Sequence, residues 1–116
     1  MKENIASIIQ WHTETFPNAT LEGQLQKFED EVKEFWECEL LSEDAATELA
    51  DCFIVACGIA RFSNVEAINA FSFVVGYLLN DKELTEMFNI AVDKKMQINR
   101  KRKWGCNKGY YQHVDE

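Results

Sequence analysis

Two pairs of acids carry the chemical signal in this chain, Glu31 with Glu34 and Glu48 with Asp51. Members of each pair are three residues apart, so on a helix they stand one turn apart, with a rise of about 4.5 Å. Each pair adjoins an apolar run: Phe28, Val32 and Phe35 around the first, and Leu49-Ala50-Asp51-Cys52-Phe53-Ile54-Val55 around the second. Carboxylates turned towards a core lose water and repel one another, and both effects penalise the ionised form. A hard divalent cation offsets the two together. Mg²⁺, with Mn²⁺ as an alternative, takes oxygen ligands and shares its remaining positions with water and substrate phosphates. The competing reading is a solvated helix surface, a common fate in a chain with 20 acids among 116 residues. Repetition of the pair, and Asp51 as the only charge between Leu49 and Ala60, favour the cation.

A second element lies near the end, in Lys94-Lys95-Met96-Gln97-Ile98-Asn99-Arg100-Lys101-Arg102-Lys103-Trp104. On a helix Lys95, Asn99 and Arg102 fall at i, i+4 and i+7 and share a face, where they can present donors to phosphate oxygens. Cations also suit the negative end of a helix, so a solvated basic terminus is the alternative. Other chemistries find less support. Di-iron helical bundles use Glu-x-x-His, but Ile9 and Tyr110 stand three residues before His12 and His113. Both histidines lie near the chain ends, and no nucleophile elbow accompanies them.

Helices are needed to place these groups, and the composition supplies them. One proline, five glycines and long stretches without breakers argue for helix over sheet. Residues 4–12 read as a short amphipathic helix with Ile5, Ile8 and Ile9 inward, closed by Phe16-Pro17. Thr20 caps a helix over residues 21–40, whose apolar stripe is Leu21, Leu25, Phe28, Val32 and Phe35. Glu31 then lies about 80° from the stripe centre, with Gln24 and Lys27 beside it at the edge of the core. Ser42, followed by two acids, opens a third helix running to about Arg61, apolar on every side and so the most buried. Ser63-Asn64-Val65-Glu66 reads as a capping box for a fourth helix ending near Leu79. That helix is apolar on more than one face, as subunit packing would require. Asp81 caps a long last helix to about Lys103, and Gly105 ends it ahead of a tail with Tyr110, Tyr111 and His113. The expectation is a single all-α bundle of about five helices.

Charge and cysteine usage narrow the partners. A net charge of −8 argues against general binding to nucleic acid or anionic membranes. It is unevenly spread, with 18 acids against 5 bases in residues 1–93 and 7 bases against 2 acids beyond. Cys38, Cys52, Cys57 and Cys106 show no CxxC spacing, and the middle two sit in an apolar run that suits reduced, buried thiols. With no signal-like leader and no 18-residue apolar span, a cytoplasmic protein is expected.

The acidic signature, Glu31-x-x-Glu34 followed by Glu48-Leu49-Ala50-Asp51, resembles that of the MazG-like all-α nucleoside triphosphate pyrophosphohydrolases. Asp30-Glu31 takes the place of that family's leading acid pair, a conservative departure. Trp11-His12 with Phe16-Pro17 ahead, and Lys95, Asn99, Arg102 and Trp104 behind, extend the similarity over residues 5–111. The chain resembles the small phage and bacterial members, including the dATP/dGTP type. This resemblance implies hydrolysis of a (deoxy)nucleoside triphosphate to the monophosphate and pyrophosphate. It implies Mg²⁺ ligation by Glu31, Glu34, Glu48 and Asp51, with Glu34 or Glu31 as the general base. Lys95, Asn99 and Arg102 would hold the triphosphate, and Trp11, Phe16 or Tyr110 would stack on the base. A homodimer or homotetramer is implied as well. Two other functions stay open at this point. One is a helical interaction protein whose acids are surface charge, and the other a single-strand binder using Trp104, Tyr110 and Tyr111.

Overall fold

The architecture follows a computed structural model in which residues 1–107 and 110–114 are described, residues 106, 107 and 110–112 by their backbone alone. It is an all-α bundle of five helices with a short terminal hairpin: α1 Ile5–Thr15, α2 Leu21–Trp36, α3 Glu43–Ala60, α4 Asn64–Leu78, α5 Lys82–Lys101, β1 Trp104–Asn107 and β2 Tyr110–His113. Side-chain caps start every helix. Thr20, Ser42, Ser63 and Asp81 accept from the backbone N–H three residues on, as the sequence predicts. Asn4 and Ser7 add a reciprocal capping box to α1.

Two boundaries differ from expectation. α1 continues to Thr15, which places His12 inside a helix. α2 stops at Trp36, short of residue 40. Glu37 and Glu39 would otherwise place negative charge at the negative helix end, and the chain leaves instead through a tightened turn, Cys38 N donating to the Phe35 carbonyl at 3.0 Å. Leu41 completes this turn at φ 63°, the left-handed region that side chains with a Cβ resist.

α3 is the central element, packed by α1, α2, α4 and α5. Its small residues Ala45, Ala46, Ala50, Ala56 and Gly58 are buried and let its neighbours approach closely. α2 and α3 are joined by a short turn and pack along each other, which makes them antiparallel and brings the two acidic pairs face to face. Leu21, Leu25 and Phe28 of α2 lie against a small cluster formed with Ala56, Ile59, Ala67 and Ala70. That leaves the polar flank of α2 turned inward: Gln24 and Glu31 are buried, while Val32 is only half-buried.

The terminal hairpin is a finding beyond the expected tail. β1 and β2 pair antiparallel with Trp104 opposite His113 and Cys106 opposite Tyr111. Among the described residues no helix is long and apolar enough to cross a membrane.

Candidate functional site

A cavity of about 420 Å³ opens between α1, α2, α3, α5 and the hairpin. Glu31, Glu34, Glu48, Asp51, Lys27, Lys95, Asn99 and Arg102 line one part of it, and Trp11, His12, Phe16, Gln24 and Trp104 another. Four polar residues are buried among the described residues, His12, Gln24, Glu31 and Asn99, and all four line this cavity. Buried polar groups gathered in one cavity make it the candidate binding site.

The acids lie where α2 faces α3. One carboxylate oxygen from each of Glu31, Glu34 and Glu48 falls within 4.8 Å of the others. Glu31 is 7 % exposed, whereas Glu34 stands at the rim. Oε2 of Glu31 and Oε2 of Glu48 are buried without a hydrogen-bond partner, a costly state for an ionised carboxylate, which only accepts. Asp51 lines the same wall outside that trio, and its Oδ2 pairs with Lys95 Nζ at 3.3 Å. Lys27 Nζ lies 3.1 Å from Glu31 Oε1. Burial acts to lower the Lys27 ammonium, but the charges of Glu31, Glu34 and Asp51 outweigh it and its pKa rises. Four carboxylates against Lys27, Lys95 and Arg102 leave a formal charge of −1 in this part of the cavity, and the two lysines are the cations paired with the acids there.

Proton affinity records the deficit. Burial is the largest cause raising Glu31 to about 7, with Glu34 adding to it against Lys27. Glu48 also rises to about 7, through burial first and then the charges of Asp51 and Glu34. Burial lifts Asp51 to about 6 against the pull of Lys95. Without a cation these groups take up protons, and a proton on either glutamate turns its approach to Glu34 into a hydrogen bond. The orphaned oxygens, the charge and the all-oxygen donor set fit a hard divalent cation held by Glu31, Glu34 and Glu48. Mg²⁺ bonded at about 2.1 Å spans oxygens up to about 4.2 Å apart, so a small contraction of the trio suffices.

Lys95, Asn99 and Arg102 reach the same cavity within one chain. Arg102 does so as the residue capping α5, with extended backbone, rather than as a further helical position. Asn99 is anchored at its backbone, its carbonyl accepting from Trp104 Nε1 at 3.1 Å. Trp11 and Phe16 are buried and make edge-to-face contacts with Trp104, which forms an aromatic wall. The Tyr110 side chain lies outside the described residues.

His12, Gln24, Lys27, Trp104 and His113 line the cavity without having been assigned to it from the sequence. The signal for one of them was present. Leu21, Gln24, Phe28, Glu31 and Phe35 follow alternating steps of three and four, so Gln24 shares a packed helix face with Glu31. No family model, curated protein or solved structure matches the chain significantly.

Proposed function

We propose that this protein is a Mg²⁺-dependent nucleoside triphosphate pyrophosphohydrolase, acting like the MazG-like family that its acidic signature resembles. One observation carries the reading: the unpartnered, buried Oε2 atoms of Glu31 and Glu48 share a cavity with Lys95, Asn99 and Arg102. Glu31, Glu34 and Glu48 would hold the cation, with Asp51 beside them. When bound, the cation supplies positive charge against the triphosphate. Lys95 and Arg102 pair with phosphate oxygens, and the Asn99 amide donates between them. Water attacks the α-phosphorus, the bond to the bridging oxygen breaks, and pyrophosphate leaves. A carboxylate oxygen of Glu34 or Glu31 receives the proton of that water. Trp11, Phe16 and Trp104 enclose the base.

A panel of ribo- and deoxynucleoside triphosphates, scored for pyrophosphate, tests this. Release should require Mg²⁺, stop with EDTA and fall at least a hundredfold in Glu48→Gln, since charge stabilisation of this kind is worth about 3 kcal/mol or more. A wild-type protein that hydrolyses no triphosphate would favour the helical interaction protein instead.

Self-association belongs to the same proposal. Val65, Ile68 and Val75 on α4 and Leu79 at its C-cap are exposed, and with Ser72 between them they follow the steps of three and four that a partner helix packs against. Light scattering at micromolar concentration should report a dimer or tetramer, and a monomer would exclude it.

A further inference from the structure

His12 of α1 and Gln24 of α2, which line the cavity, are connected in series with Arg61 at the end of α3. Arg61 Nη1 lies 2.8 Å from His12 Nδ1 and donates to the backbone carbonyls of His12 at 3.3 Å and Phe16 at 2.9 Å. His12 Nε2 lies 3.0 Å from Gln24 Oε1. A guanidinium has donors only, so Nδ1 must be the acceptor. A neutral imidazole that accepts at Nδ1 carries its proton on Nε2, and that proton meets the Gln24 carbonyl oxygen. Burial and the Arg61 charge favour the neutral ring, holding His12 down to about 4.

Gly58 of α3 fixes the arrangement from behind. A Cβ at that position would overlap His12 Nε2 and Gln24 Oε1. The orientation of the Gln24 amide is therefore dictated from Arg61 outward. Its oxygen is consumed by His12, and its NH₂ group, which makes no hydrogen bond among the described residues, is left for the cavity that Gln24 lines.

An amide with both halves free matches adenine through the N7 acceptor and the N6 donor together. Gln24 offers donors alone. We infer that Gln24 is a specificity-determining residue whose NH₂ group donates to an exocyclic carbonyl oxygen of the bound base, favouring bases that present one over adenine, which offers it only a ring nitrogen. Guanine presents O6 and N7 side by side, and thymine and uracil present O4. The aromatic wall of Trp11, Phe16 and Trp104 beside Gln24 gives a flat ring the surroundings it needs. This inference rests on the proposed triphosphate substrate and adds which bases the site accepts.

The test compares kcat/KM for dGTP, dTTP and dATP in wild type and in Gln24→Met, which keeps the length and removes the donor. Wild type should prefer dGTP or dTTP over dATP by roughly tenfold or more. Gln24→Met should bring the three within about threefold of one another. A ¹⁵N spectrum of His12 in the wild-type protein supplies a readout independent of turnover and of the variant's folding, with the proton expected on Nε2. Equal or better turnover of dATP, an unchanged ratio in Gln24→Met, or a proton on Nδ1 would overturn the inference. Turnover without base preference refutes it alone, whereas absence of turnover with every triphosphate refutes the proposed function along with it.

Discussion

Replacing Glu31 by Gln should make the metal-free protein more stable at pH 8 while removing its response to Mg²⁺. Glu31 titrates near 7 in the folded chain against 4.5 in the reference state. Between those values the folded chain holds a proton that the unfolded chain has released, so stability falls as pH rises. The contribution is fully present below 4.5 and lost once pH passes 7, and at 1.36 kcal/mol per pH unit the loss is about 3 kcal/mol. That loss is already net of the pull of Lys27, whose side chain is 32 % exposed. Desolvation wins, and the net gain is about 3 kcal/mol. For a domain of this size that is a rise in Tm of roughly 10–15 °C. Thermal melts in EDTA at pH 8 and at pH 5 provide the assay. The variant should melt higher at pH 8, and the difference should shrink at pH 5, where wild-type Glu31 is protonated. Mg²⁺ should raise the wild-type midpoint and leave the variant unmoved. A variant that melts lower than wild type in EDTA at pH 8, or that gains as much from Mg²⁺, would refute the reasoning.

Further outcomes follow from the same contacts. Gly58→Ala should cost about 1–3 kcal/mol in denaturant unfolding, because the added methyl displaces the His12–Gln24 pair from a packed site. Leu41→Gly should raise stability by up to about 1 kcal/mol despite its entropic cost, since Leu41 is 59 % exposed and held at φ 63°; a loss would mean the side chain is covered in solution. Lys95→Met should raise the KM for triphosphate at least tenfold and move Asp51 further up from about 6, as judged by NMR titration, because its cationic partner is gone. Acidification should act on His12 with the opposite sign to Glu31. Its folded pKa of about 4 lies below the reference 6.5, so stability is lost as pH falls through that window, and the slope should flatten in His12→Gln.

The helices could be read because local signals agreed. Caps at Thr20, Ser42, Ser63 and Asp81 and unbroken apolar periodicity placed all five to within a few residues. The gathering of Glu31, Glu34 and Glu48 was readable from spacing plus the shortness of the α2–α3 turn. What escaped depends on tertiary packing. Gln24 and Glu31, placed by the sequence at the edge of the core, are buried, while Leu21 and Leu25 are only partly buried against the cluster that holds Ala67 and Ala70 of α4. Asp51 chose Lys95 as its partner across α3 and α5, a pairing that no spacing within one helix encodes. The hairpin was missed because its strands are four residues long and only half-apolar, although Asn107-Lys108-Gly109 between aromatic flanks is turn chemistry. The His12–Arg61 contact joins residues 49 positions apart and left no trace in the sequence.

The central claim is a Mg²⁺-dependent cut at the α-phosphorus, and ³¹P NMR of a reaction mixture tests it most directly. A deoxynucleoside triphosphate incubated with the protein and Mg²⁺ should yield a monophosphate and pyrophosphate in equal amounts. EDTA should leave the triphosphate intact. A diphosphate with inorganic phosphate, or a triphosphate that persists with Mg²⁺ present, would contradict the account.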